Sequence, residues 1–330
     1  MHALYYSRDP GATNQLIAVY EMVAGRLMWI QELNALGSAL ARSAEPPLVL
    51  ARPPGLGMWH RARVDAKAME AAPRLVDLTQ LLQREGAGAI VTGTSDIDDE
   101  TDRLLWRAAR EVGIPSHCFI DHPANLAARF TLQDGSSSWP SYLYAPDEGI
   151  AAELKALSVE AGKVTVCGWL HHCRMKQLAR STDAATTENL RQQWGADATT
   201  AVVLFVSECG REMVAQGRHS AYDEVDMLDD LLARMARPTE LAGLALSPEN
   251  ALVVVRPHPR DRQGKYDSYK NATAKCPRLI ISQSEAPEVA LLAADLVVGM
   301  DSSLLHEARA LGLLTHSLLL EPSEMLINET

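Results

Sequence analysis

With 330 residues the chain is long enough for two cores of ordinary size, and 47% hydrophobic with 22% charged residues marks it as globular. The formal net charge of −11, from 31 Lys and Arg against 42 Asp and Glu, excludes sequence-independent nucleic-acid binding, which needs a basic footprint. A small anion held by a few local donors stays allowed, because global charge governs solubility and steering rather than site chemistry.

Aromatic residues make up only 5%, too few for a platform that stacks single-stranded nucleic acid. The cysteines are Cys118, Cys167, Cys173, Cys209 and Cys276, with no C-x-x-C pair, a pattern of reduced thiols in a cytosolic compartment. The N-terminus opens on a strand pattern rather than a signal peptide, and no apolar run approaches the ~20 residues of a membrane span. A soluble, cytoplasmic protein with no transmembrane segment is expected, with room for a homo-oligomer.

Apolar runs predict strands at Ala3–Ser7, Leu48–Ala51, Ala89–Thr92, His117–Ile120, Tyr142–Tyr144 and Val164–Cys167. Amphipathic stretches predict helices between them at Gln15–Leu33, Arg74–Arg84, Thr101–Val112 and Gly149–Leu157. Gly168–Asp197 is polar and helical in pattern, a connection between domains. A second series follows, with strands at Val202–Val206, Leu252–Arg256, Leu279–Ser282, Leu296–Val298 and Thr315–Leu319. Its helices are Glu224–Met235, Pro287–Ala294 and Ser302–Leu311. Strand–helix alternation at this spacing predicts an α/β fold with parallel sheets. The expected division is into domains 1–170 and 171–330, with ligands beyond the carboxyl ends of the strands and a cleft between the domains.

Several strand-to-helix junctions carry chemistry. In Ser7-Arg8-Asp9-Pro10-Gly11-Ala12-Thr13-Asn14, Gly11 permits close backbone approach, and Thr13 or Asn14 can cap a helix whose N–H groups face an anion. Arg8 adds charge, and Asp9 is a candidate base; an ordinary capped turn is the competing reading. Thr94 and Ser95 end another strand as candidate pocket residues, whereas Asp98, Asp99 and Glu100 suit a helix N-terminus. Asp121 and His122 end a third strand and read either as acid–base groups or as a turn with a solvated imidazole.

The second half is more specific. Val253 to Val255 run into Arg256-Pro257-His258-Pro259-Arg260, a loop stiffened by two prolines and suited to gripping phosphate oxygens. Gly299-Met300-Asp301-Ser302-Ser303 leads straight into a helix, where hydroxyls and open N–H groups can receive a diphosphate. Glu307, about one turn in, is placed to accept hydrogen bonds from ribose hydroxyls. Ser207, Gly210 and Arg211 follow the first strand of this half and can close over the same phosphate. His171-His172-Cys173 lacks a second ligand cluster, so no metal is expected.

Arg256-Pro257-His258-Pro259, the run Ala293 through Ser303, and Glu307-Ala308 with Gly312 together resemble the nucleotide-binding half of GT-B glycosyltransferases. They are similar to bacterial capsule and teichoic-acid-type transferases and to nucleotide-sugar 2-epimerases. Arg8 through Asn14 and Asp121-His122 through Arg129-Phe130 look like a bacterial branch of that fold. The resemblance implies two Rossmann-like domains facing across a cleft, with His258, Ser302 and Ser303 on the diphosphate and Glu307 on the ribose. It implies a metal-independent glycosyltransferase of polysaccharide or glycoconjugate biosynthesis, in which the residues read above as candidates, Asp9, Asp121 or His122, would remove the acceptor's proton. The nucleotide sugar is then a co-substrate of the second domain, the acceptor belongs to the first, and no cofactor is implied. The alternatives are a nucleotide-sugar 2-epimerase or hydrolase, and a catalytically silent nucleotide-binding subunit. The arginine and glutamate arrangement of the 2-epimerases is not recognisable in the sequence, and the terminal helix that crosses back to the first domain is expected to be short or missing.

Overall fold

The computed structural model describes residues 2–40, 45–69, 73–95, 98–123, 125–157, 163–215, 217, 223–270 and 277–319. The chain divides into two compact units, Met1–Arg174 and Met175–Thr330. Cys276 and the residues after 319, where a terminal helix was expected to be short or missing, lie outside the described residues, and the strand predicted at Thr315–Leu319 ends two residues earlier, at Ser317.

The first unit contains strands β1 (His2–Ser7), β2 (Leu48–Ala51), β3 (Ala66–Ala68), β4 (Ala87–Thr92), β5 (Ser116–Phe119), β6 (Tyr142–Ala145) and β7 (Val164–Val166). Its helices are α1 (Pro10–Val23), α2 (Asn34–Leu40), α3 (Gly55–Arg61), α4 (Leu75–Arg84), α5 (Thr101–Val112), α6 (Leu126–Arg129) and α7 (Glu148–Ala156). Helix α8 (Leu170–Ser181) carries the division between the units, and α9 (Ala184–Gln193) follows it. All pairings in the sheet are parallel, in the order β3-β2-β1-β4-β5-β6-β7. That order reverses direction between β1 and β4, the doubly wound arrangement in which ligands bind where the order reverses.

Why β1 reads as a continuous apolar run follows from its burial. Ala3 and Tyr5 pack with Leu16, Val19 and Trp59 of α1 and α3, whereas Leu4 and Tyr6 pack with Leu78, Leu82 and Leu105 of α4 and α5. A strand covered on both faces has no polar side to alternate with.

The second unit repeats the plan with β8 (Ala201–Val206), β9 (Thr239–Leu241), β10 (Leu244–Leu246), β11 (Ala251–Arg256), β12 (Arg278–Ile281), β13 (Leu296–Gly299) and β14 (Thr315–Ser317). Its helices are α10 (Gly210–Ala215), α11 (Glu224–Met235), α12 (Asp267–Lys270), α13 (Pro287–Leu292) and α14 (Ser303–Ala310). The parallel sheet runs β12-β11-β8-β13-β14, so its order reverses between β8 and β13. Val203 and Phe205 face α11, and Val202, Leu204 and Val206 face α9, α13 and α14.

The structure departs locally from these predictions, and short helices such as α2, α3, α10 and α12 were not predicted. The first helix starts at Pro10, not Gln15, and ends at Val23, ahead of Gly25 at φ +68°. Proline at the first helical position has no N–H to lose and a φ already suited to the helix, so Thr13 and Asn14 lie inside α1 rather than capping it. Strand β3 was not predicted, because Ala-Lys-Ala has no apolar run. The antiparallel hairpin β9–β10 was also not predicted; it closes through Ala242 and Gly243, both at positive φ, as a two-residue turn of the primed type requires.

Gly93 sits where α1 presses on the end of β4: a Cβ there would lie 2.4 Å from Ala12 Cβ and 3.0 Å from Ala12 Cα. Gly93→Ala is expected to cost about 1–3 kcal/mol, as overpacking does. Gly57→Ala in α3, where the added carbon meets only the flexible end of Arg61 at 3.6 Å, is expected to be neutral or stabilising. Melting of both variants checks the contrast, and equal melting temperatures would refute it.

Candidate functional site

At the reversal between β1 and β4, loops from four strands meet at the carboxyl edge of the first unit. Arg8, after β1, donates to both oxygens of Asp98 at 2.8 and 3.1 Å and lies 3.7 Å from Asp99. Arg52, after β2, reaches Asp99 at 2.9 Å. Asp99 is buried and also accepts from the Tyr6 hydroxyl at 3.1 Å and the Thr101 N–H at 3.1 Å. Asp9 lies 3.8 Å from the Arg8 Nε. The rim therefore alternates cations and carboxylates, and both guanidiniums keep about a fifth of their side chains in solvent, 21% and 22%.

Asp121, after β5, is fixed from three sides. Its Oδ1 accepts from Thr94 Oγ1 at 2.8 Å and from Arg129 Nη1 at 2.8 Å. Its Oδ2 lies against the first turn of α1, where a Cβ on Gly11 would come within 2.4 Å of it. Glycine at position 11 is thus required by the protein's own Asp121 carboxylate. His122 beside Asp121 is exposed.

Beneath this rim Asp102 is fully buried and accepts from the Ser95 N–H at 2.7 Å, anchoring the loop after β4. Burial pushes its carboxyl up to about 7, against the nearby Arg103 and the two backbone donors.

In the second unit, loops after β8, β11 and β13 meet where the sheet reverses. Gly299 lets β13 approach β8, since a Cβ would lie 2.8 Å from Val206 Cγ2 and 3.1 Å from the Val206 carbonyl. Ser302 caps α14 by accepting from the Leu305 N–H at 3.2 Å. The N–H groups of Ser303 and Leu304 fall in the first turn, where a helix supplies no acceptor of its own. The Asp301 N–H donates to Glu208 at 2.7 Å, and Asp301 Oδ1 pairs with His306 at 2.7 Å. Glu307 is buried one turn into the helix.

His258 is held as a neutral ring. Burial, then the charges of Arg260 and Lys265, lower it to about 4. Its Nδ1 accepts the Arg260 backbone N–H at 3.1 Å, so the ring proton sits on Nε2 as a donor. Its own N–H donates to Asp261 at 2.8 Å.

No family model and no curated protein matches the sequence. Solved structures do. UDP-GlcNAc 2-epimerase from Neisseria meningitidis bound to UDP-GlcNAc is similar with a TM-score of 0.60 at 13% identity, over 98% of this chain and 84% of that one. The Anabaena HepE protein in complex with UDP-glucose gives 0.59 at 13% identity, over 96% and 79%. A glycosyltransferase from Rickettsia africae gives 0.53 at 10% identity, over 95% and 78%. The fold is GT-B-like.

Within this GT-B-like fold the predicted residues separate into those on a rim and those spent elsewhere. Arg8, Asp9, Gly11, Asp121 and His122 lie at the rim of the first unit; His258, Asp301, Ser302, Ser303, Ser207 and Gly210 lie at the loops of the second. Thr13 is fully buried, its hydroxyl bonded to Ser7 and to the Asp9 carbonyl, so it braces α1 instead of meeting a ligand. Asn14 sits in α1, half-buried. Thr94 and Ser95 are buried supports for Asp121 and of Asp102. Arg256 is not presented to a phosphate: its guanidinium pairs with Glu285 at 2.8 Å and donates to the Glu285 carbonyl at 3.1 Å. Arg211 turns to Asp223. Of the acids assigned to capping, Asp98 pairs with Arg8, and Glu100 accepts from the Gln133 N–H at 2.9 Å. Glu100 is nonetheless the N-cap residue of α5, its carbonyl accepting the Leu104 N–H at 2.9 Å, and the Asp99 side chain accepts the Thr101 N–H at 3.1 Å.

Arg52, Asp102, Glu208, Asp261 and Lys265 were not singled out from the sequence. Arg52 carried the same signal as Arg8, a cation just past a predicted strand; Glu208 meets Asp301, Asp261 meets Ser207, and Lys265 meets Glu212 and Glu224 across long stretches of sequence, whereas Asp102 is bonded locally to Ser95 and Arg103. A cavity of about 370 Å³ lies at the opposite end of the first sheet, among Trp106, Arg110, Trp139, Tyr142 and Lys163, and shares no residue with the rim.

Asp102 predicts a pH dependence. Between the usual carboxylate range and about 7 the folded chain holds a proton that the unfolded chain has released, so this group's stabilising contribution falls as pH rises across that window. Asp102→Asn removes that fall. Its stability relative to wild type is expected to rise from pH 4.5 to pH 7.5 by roughly 2 kcal/mol, measured by urea unfolding at both values. A pH-independent difference would show that Asp102 does not titrate there.

Proposed function

We propose that this protein processes a nucleotide sugar, holding its diphosphate on the second unit and cleaving the sugar–phosphate bond without an acceptor, as a 2-epimerase or hydrolase does. The observation that carries this reading is the pairing of two neutral donors beside the β8/β13 reversal. One is the Nε2–H of His258; the other is the open first turn of α14 behind the Ser302 cap. Neutral N–H donors and a helix N-terminus stabilise a departing diphosphate without a metal. Both loops also belong to one bonded network, because Asp301 is tied to Glu208, whose carbonyl accepts from Lys265 at 3.3 Å, and Lys265 is tied to Asp261 under His258.

UDP-GlcNAc 2-epimerases recur among the structures of similar fold, which supports turnover of the donor alone over the glycosyl transfer expected from the sequence. In this reading Glu307 receives the ribose hydroxyls. Asp9, Asp121 and His122 supply the acid–base groups, with Asp121 Oδ2 lying against Gly11 at the start of α1. Glycosyl transfer is the second reading, favoured by the Rickettsia africae glycosyltransferase of similar fold.

Incubation with uridine, guanosine, cytidine and thymidine diphosphate sugars in D2O separates the readings. Donor-alone release of nucleoside diphosphate, or inversion at C2 with deuterium incorporated there, is the expected result. Turnover only after an acceptor is added would establish transfer instead. Thermal stabilisation by UDP with no turnover of any donor would identify a silent binding subunit. Asp121→Asn is expected to reduce turnover roughly a hundredfold or more with UDP affinity unchanged. His258→Ala is expected to weaken UDP binding itself.

A further inference from the structure

Glu212, Glu224 and Asp261 bring carboxylate oxygens within 4.8 Å of one another, a spacing that would suit a divalent cation. The gap is already filled by a cation of the chain itself. Lys265 Nζ lies 2.7 Å from Glu212 Oε2 and 2.7 Å from Asp261 Oδ1, with Glu224 Oε1 as a third partner. The lysine side chain is 2% exposed and that of Glu224 is 0% exposed. An ammonium has three protons to donate, and they are shared among three carboxylates, from α10, α11 and the turn after β11, and the Glu208 carbonyl.

Stability alone does not explain such a cluster. Burying an ammonium and three acids costs desolvation comparable to the attraction gained, and apolar residues of similar volume would do as well. What the ion cluster achieves is placement. With its other oxygen, Oδ2, Asp261 accepts the His258 backbone N–H at 2.8 Å and the Ser207 hydroxyl at 3.2 Å, joining the loops after β11 and β8. The same ammonium donates to the Glu208 carbonyl at 3.3 Å, and the Glu208 side chain takes the Asp301 N–H at 2.7 Å, just ahead of α14.

We propose that Lys265 is a positioning residue for the nucleotide: by holding Asp261 as a strut beneath His258 and Ser207, it sets where His258 presents its ring to a diphosphate. This role rests on the nucleotide-sugar reading above. Lys265 does not touch the ligand in this scheme, so its effect passes entirely through Asp261 and Glu208. The charged groups around the His258 ring are Arg260 on its own turn, Lys265, and Glu212 from α10.

Lys265→Met tests the proposal in the full-length chain. UDP affinity, measured by calorimetry, is expected to fall on the order of tenfold, the size of ordinary coupling within one hydrogen-bond network. The NMR titration midpoint of the His258 ring is expected to rise above the wild-type value, because a neighbouring cation is lost while Glu212 stays, and the backbone amide resonances of His258 are expected to move as Asp261 is released; a residue that served stability alone would leave those amides in place. If Lys265→Met does not fold, Asp261→Asn keeps Lys265 paired with Glu212 and Glu224 while weakening the strut, and is expected to lose UDP affinity in the same direction. Wild-type UDP affinity in these variants, with an unmoved His258 midpoint, would overturn the proposal. A wild-type protein that binds no UDP would overturn the nucleotide reading itself and this role with it, a failure distinguishable from the first.

Discussion

Both units are organised by one constraint: a parallel sheet covered by helices on both faces can expose chemistry only at its ends. β1 and β8 are each paired with a parallel neighbour on both sides, and their apolar side chains pack under helices on both faces. The chain becomes available to a ligand only where a strand stops, and adjacent connections diverge only where the strand order reverses. That is why Arg8, Asp99 and Asp121 gather beside β1 and β4. It is also why His258, Glu208 and Ser302 gather beside β8 and β13.

Charge at these edges is largely spent on the protein itself. Arg256 with Glu285, Arg129 with Asp121, and Lys265 with its three acids are all ion pairs with little exposure. A buried guanidinium without a partner would be costly, so a cation near the end of a strand finds a carboxylate before it finds a ligand. The donors on which the proposed diphosphate site rests are mostly neutral: an imidazole N–H, hydroxyls and the N–H groups at the start of α14. An acidic protein can hold an anion on such terms, because the donors are preorganised and need no net positive charge.

The separation between legible and illegible residues follows sequence distance. Helix α5 and helix α11 run over the predicted residues, because their apolar spacing and flanking residues are local. The strands at Leu48–Ala51 and Val202–Val206 were visible as uninterrupted apolar runs. Pro10 was visible too, yet the helix was begun five residues late because Thr13 and Asn14 are good caps by type. Thr13 instead bonds to the Ser7 hydroxyl and the Asp9 carbonyl, and the Trp59 indole N–H donates to the same Ser7 hydroxyl at 2.8 Å.

The sequence by itself determined the α/β alternation, the places where strands end, and the residue types offered there, because periodicity and turn chemistry are properties of neighbouring residues. Only the tertiary structure decided which of those residues are free to act. Arg256 meets Glu285 and Lys265 meets Glu224 across stretches of 29 and 41 residues, respectively. Pairing across such a span depends on strand order and desolvation, and neither is written in local composition.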